Sequence, residues 1–126
     1  MANVDVVNTV TTRPGLPAKP FAETGSPQIM VPAGRHLVVE TLSIQVDVSP
    51  SDTKIEAFVN YTSGGNSVTL FVPLTYAYTM PSNDFAFYVA LQPVRFYADP
   101  GTSIAVTTSS PAHSGTLFIT VSGYLV

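Results

Sequence analysis

Residues 67–79, SVTLFVPLTYAYT, place Val68, Leu70, Val72, Leu74, Tyr76 and Tyr78 on one parity, with Thr69, Thr75 and Thr79 on the other. A repeat of two belongs to an extended chain with one buried face, because successive side chains of a strand point to opposite sides of its sheet. The same repeat returns as Ile55, Ala57, Val59 and Tyr61 within 54–62, as Phe85, Phe87, Val89 and Leu91 within 85–91, and as Leu117, Ile119, Val121 and Leu125 within 116–125. No window holds an apolar stripe at i, i+3, i+4, i+7, and 11 prolines and 8 glycines interrupt the chain too often for long helices. The fold expected is all-β.

The stretch 35–48, RHLVVETLSIQVDV, changes parity midway: Leu37 and Val39 lie on one side, Leu42, Ile44, Val46 and Val48 on the other. A bulge near Glu40 and Thr41 would reconcile the halves. Shorter runs at 3–10, 28–32, 93–98 and 102–109 complete a set of eight or nine strands. The punctuation agrees. Gly64-Gly65 in SGGNS offers the positive φ that a hairpin demands, and Asp99-Pro100-Gly101-Thr102 has the residue order of a type II turn. Many short antiparallel strands at this spacing predict a β-sandwich of the jelly-roll type. Residues 13–27, RPGLPAKPFAETGSP, with four prolines, read as a non-strand segment. It is either a connection over its own domain or an arm to a neighbouring subunit, with the run at 3–10 pairing there.

At 126 residues the chain is expected to form one domain, 1–126. Charged residues make up 10%, against about 25% in an ordinary domain. Its surface is therefore largely neutral, which favours cover by other subunits. Five cations (Arg13, Lys19, Arg35, Lys54 and Arg95), scattered among eight acids, form no basic stripe, so no nucleic-acid partner is expected. The N-terminal run Met-Ala-Asn-Val-Asp-Val-Val has neither a basic region nor a long apolar stretch. Neither a signal peptide nor a membrane span is expected, and the chain reads as soluble with its compartment open.

Chemistry-bearing patterns are sparse. The absence of cysteine excludes disulfides, thiolate zinc sites and a cysteine nucleophile. His36 and His113 stand apart, without acidic neighbours at ligand spacing, and no G-x-S-x-G elbow accompanies the serines. The acids are spread singly, unlike the paired carboxylates of a glycosidase. DVSPSD, residues 47–52, is the best local candidate for calcium, though its plainer reading is a capped turn. No enzyme, no metal and no cofactor are expected.

Aromatic residues are more informative, because several fall on the parity opposite the apolar faces. Tyr88, Tyr97, Phe118 and Tyr124 do so, and Arg95 shares a face with Tyr97. Such residues either cover a subunit contact or stack on sugar rings. Three signatures, VPAGRHLVVE at 31–40, VRFYADPGT at 94–102 and VSGYLV at 121–126, resemble those of small bacterial all-β proteins of no assigned activity. The resemblance implies a compact sandwich and transfers no site residue. At the level of architecture the strand count is similar to jelly-roll modules of capsid subunits, tumour-necrosis-factor-like trimers and carbohydrate-binding modules. The leading expectation is a non-catalytic subunit that self-associates as a ring, trimer or larger shell. The alternative is a carbohydrate-binding module using exposed tyrosines and polar loop residues.

Overall fold

A computed structural model describes residues 17–51, 54–109 and 116–126. Nine strands follow one another: β1 (Lys19–Gly25), β2 (Gln28–Met30), β3 (Leu37–Val48), β4 (Ala57–Ser63), β5 (Asn66–Val72), β6 (Thr75–Met80), β7 (Phe85–Ala98), β8 (Ser103–Thr108) and β9 (Leu117–Leu125). They form a five-stranded sheet, β1-β9-β3-β7-β6, and a four-stranded sheet, β2-β8-β4-β5. Every pairing is antiparallel.

The pairing follows a simple scheme. β4 and β5 form a hairpin, and outward from it β3 meets β7, β2 meets β8 and β1 meets β9. The two arms of this long hairpin are rolled up so that β9 also meets β3 and β8 also meets β4. That is the connectivity of a jelly roll, with β6 added beside β7 as an extra edge. The fold class read from the sequence is therefore the one found.

Between the sheets, Leu42, Ile44, Val46, Ile119 and Val121 of one face Ala57, Val59, Ile104, Val106 and Val72 of the other, all essentially inaccessible. Tyr61 and Phe96 stack across this layer with ring centroids 4.0 Å apart. No polar or charged residue is buried among the described residues. The parity change in β3 is a register shift between Val39 and Thr41 against both neighbours, as the sequence predicts. There the backbones come so close that a Cβ on Gly123 would stand 1.9 Å from the Val38 carbonyl oxygen, so only glycine fits.

Four expectations are corrected. Residues 67–79 are two strands in different sheets, because Pro73 has no N–H to continue the ladder and the chain crosses over there, with Leu74 turned against the core. The run 85–91 faces the opposite way from its assignment: Ala86 and Ala90 are buried, while Val89 and Leu91 point out. Apolar residues occupy both parities of FAFYVAL, and the register sets the small alanines against Val48 and Ile44 where space is tight. Runs 85–91 and 93–98 are one strand through Pro93, tolerated because β6 pairs with β7 only as far as Val89, leaving that side of Pro93 without a partner strand. Finally, residues 19–25 of the proline-rich segment form the edge strand β1, with Pro20 at a sheet margin. The predicted strand at 3–10 lies outside the described residues.

Candidate functional site

The register defines the outer face of the five-stranded sheet row by row. Phe118, Gln45, Val89 and Thr75 stand side by side, then Thr24, Thr120, Ser43 and Leu91, then Ala22, Ser122, Thr41 and Pro93, and finally Pro20, Tyr124, Val38 and Tyr97. Beyond the first row, Asp47 neighbours Phe87, on which Tyr78 stacks at 4.6 Å. Leu91 is 72% exposed, with Tyr78, Val89 and Phe118 also well exposed around it. Charge is confined to the ends of β3 and β7 on this face: Asp47 at one, and Glu40 with Arg95, 3.8 Å apart, at the other. In the middle an open depression of about 340 Å³ is lined by Thr24, Ser43, Gln45, Phe118 and Thr120. The Thr24 and Thr120 hydroxyls bond across it at 2.8 Å.

Of the five residues singled out from sequence, Arg95, Tyr97, Phe118 and Tyr124 lie on this face. Tyr97 and Tyr124 pack together on Val38 and Val126, a small apolar cluster separate from the main core. Phe118, six residues from Tyr124 along β9, is about 20 Å away at the rise of a strand, and its neighbour across Gln45 is Val89. Tyr88 does not belong: it opposes Val46 on the inner side and packs against the core, with Tyr76 edge-on at 5.7 Å. Sequence reasoning missed Leu91, Val89 and Phe87 because it turned their parity inward. The signal that finds them is the pair of alanines at 86 and 90, small enough to be the inward set.

One end of the sandwich gathers three loops. The Asp99 carboxylate accepts hydrogen bonds from the Gly64 amide at 2.9 Å and the Gly65 amide at 2.8 Å, one on each oxygen. Both glycines have the positive φ that the two-residue hairpin requires. The Asp99 carbonyl accepts from Thr102, closing the predicted turn, and the Asp99 amide donates to the Thr62 carbonyl. Gly101 donates in turn to the Val31 carbonyl at 3.0 Å. His36 Nε2 lies 3.8 Å from the Asp99 carboxylate, and its ring meets Tyr97 edge-on. With both carboxylate oxygens accepting from amides, this group fastens the loops together. Arg95 and Asp99 do not pair, Arg95 being engaged by Glu40.

Among the described residues no three His, Asp or Glu side chains converge as metal ligands would. Of the calcium candidate at 47–52, Asp52 lies outside the described residues, as does His113. Asp47 is occupied, accepting from the backbone amide and the hydroxyl of Thr116. Tyr61, inward on β4, has its hydroxyl pKa raised by burial. Among the described residues no helix is long and apolar enough to cross a membrane.

The fold and this face define a jelly-roll sandwich whose five-stranded sheet has a sparsely charged, partly apolar outer face. No protein-family model matches the chain, and no curated protein sequence matches it either.

Proposed function

We propose that the chain is a non-catalytic jelly-roll subunit that associates with copies of itself, as a ring, trimer or larger shell, through the outer face of its five-stranded sheet. The observation that carries this reading is Leu91, 72% exposed on β7 at the margin of a face that among the described residues carries charge only towards its ends. Removing most of a leucine side chain from water contributes roughly 1–2 kcal/mol, and Phe118, Val89 and Tyr78 enlarge the same surface. Light scattering coupled to size exclusion tests it: a stable multimer is expected, and Leu91→Glu reduces the assembly to a smaller species. A wild-type monomer of 13.4 kDa at micromolar concentration overturns the proposal.

A second reading, a carbohydrate-binding module, is supported by Tyr76 and Tyr78, each more than half exposed on β6 beside Thr79, whose hydroxyl bonds that of Tyr76 at 2.6 Å. Exposed rings next to hydroxyls suit stacking on a sugar. Binding on a glycan array, with and without calcium, favours this reading, and silence across it removes it.

A further inference from the structure

Four strands bound the two sheets: β1 and β6 in one, β2 and β5 in the other. A sheet edge exposes unpaired amides and carbonyls, and proteins commonly guard such edges with charge, proline, bulges or brevity. Three of the four are guarded in this way. β1 carries Lys19, Pro20 and Glu23. β2 is three residues long, set between Pro27 and Pro32. β6 is broken by a register shift between Tyr76 and Tyr78 and flanked by Pro73 and Pro81. β5 has none of these devices within the strand, Pro73 coming only after its last residue: NSVTLFV runs seven residues without charge or proline and pairs with β4 in unbroken register.

The hydrogen-bonding phase of β5 follows from its hairpin. Across the two-residue Gly64-Gly65 loop, Ser63 and Asn66 form a bonded pair, and the bonded pairs recur at every second residue. Thr62 and Glu56 fit this phase, since their carbonyls face away from β5 and accept from the Asp99 and Ser109 amides. Asn66, Val68, Leu70 and Val72 therefore bond to β4, and the backbones of Ser67, Thr69 and Phe71 point to the open edge. On the outer surface stand the side chains of Ser67, Thr69 and Phe71, the last 51% exposed; Val68 and Leu70 turn inward, half-buried.

We propose that this edge is a second self-association surface, where β5 of one copy pairs antiparallel with β5 of a second copy about a two-fold axis at Thr69. In that register Ser67 opposes Phe71, Thr69 opposes Thr69, and Phe71 opposes Ser67. All three outward residues meet outward residues, giving about six inter-chain backbone hydrogen bonds. Small stands against large on the outer surface, Val68 against Leu70 on the inner, and a Thr–Thr pair at the axis is favourable. Sliding by two residues sets Ser67 against Pro73, which has no amide hydrogen, or Phe71 against Gly65 in the turn. A second copy is the fitting occupant because among the described strands its own receptive edge is β5 alone, so the pairing is isologous and closes. No charge on the strand opposes it.

This pairing rests on the reading of the chain as a self-associating subunit, yet uses neither Leu91 nor the outer face of the five-stranded sheet. Its test is therefore run in a Leu91→Glu background, where a dimer of two 13.4 kDa chains is expected to persist. Adding Thr69→Lys or Thr69→Glu sets like charges face to face, and each variant alone is expected to weaken the dimer at least tenfold. Mixing the Lys and Glu variants restores it. As an independent measurement in the same background, Thr69→Cys in this cysteine-free chain is expected to oxidise to a covalent dimer, while Ala33→Cys, exposed in the turn before β3 and on neither surface, does not. Unchanged dimerisation of either charge variant overturns the proposal, as does failure of the mixture to recover or absence of the Thr69→Cys cross-link. Failure of the face reading appears differently, as a Leu91→Glu protein with the wild-type mass.

Discussion

Asp99→Ala isolates the fastening at the loop end. The carboxylate is 17% exposed and receives the Gly64 and Gly65 amides at 2.9 and 2.8 Å. Hydrogen bonds to a charged group contribute roughly 1.5–3 kcal/mol each. Both glycines are themselves exposed, so water takes over their amides once the carboxylate is gone. The low end of the range is then appropriate, and the expected loss is about 2–3 kcal/mol for the pair. For a chain of this size each kcal/mol lowers Tm by roughly 3–6 °C, so the variant melts about 6–18 °C below wild type. Asp99→Asn keeps one acceptor without the charge and falls between. The assay is urea or thermal unfolding at one fixed protein concentration, since association shifts the midpoint, combined with amide hydrogen exchange. The Gly64 and Gly65 amides should lose protection out of proportion to the global change. An Asp99→Ala protein within about 0.5 kcal/mol of wild type, with those two amides still protected, refutes the reasoning.

Gly123→Ala is expected to destabilise by about 3 kcal/mol or more, read as a lower urea midpoint, because the new methyl would stand 1.9 Å from the Val38 carbonyl oxygen, and the atoms it meets are the Val38 and Val39 backbone rather than a side chain that could move aside. Leu91→Glu is expected to reduce the assembly mass on light scattering while leaving the monomer's thermal stability nearly unchanged, since the side chain is largely in water already. Tyr61 has a folded pKa raised above the usual value of about 10. The folded state therefore holds its proton more tightly, so stability is intact below pH 10 and falls as pH rises beyond it. Tyr61→Phe should flatten that alkaline decline in urea midpoints taken between pH 9 and 11.

Local rules carried the reading of this fold a long way. Leu37 and Val39 on one parity and Leu42 to Val48 on the other announce the bulge, because a strand cannot bury both sets on one face without an extra residue. Gly64-Gly65 and Asp99-Pro100-Gly101 announce their turns by the backbone angles they permit. What local rules do not carry is partner choice. The break at Pro73 separates two strands whose alternation continues across it, so the change of sheet is visible only in the tertiary pairing. The inverted parity of 85–91 has a similar origin: a strand apolar on both sides gives periodicity nothing to decide, and packing space against Ile44 and Val48 decides instead. The candidate face was half legible for the same reason. Tyr97 and Tyr124 stood clearly against their strands' apolar parity, whereas Leu91 was hidden within the set assigned inward.

Edges and faces pose different problems for a chain with so little charge. A sparsely charged face with exposed apolar residues gains free energy by area and tolerates many docking geometries, so by itself it favours association without choosing a symmetry. An unguarded strand is directional: its donors and acceptors recur at fixed spacing, and only one register in β5 engages all three outward residues while avoiding Pro73 and the glycine turn. If both surfaces operate, the β5 axis supplies a two-fold and the outer face of the other sheet supplies the second contact. A two-fold contact combined with a second, distinct contact builds closed assemblies larger than a dimer. The scarcity of charge then has a structural counterpart. Lys19, Glu23, Glu40, Asp47 and Arg95 stand on the β1 edge or at the ends of the outer face, leaving the middle of that face and the whole of β5 free of the like-charge opposition that would keep identical copies apart.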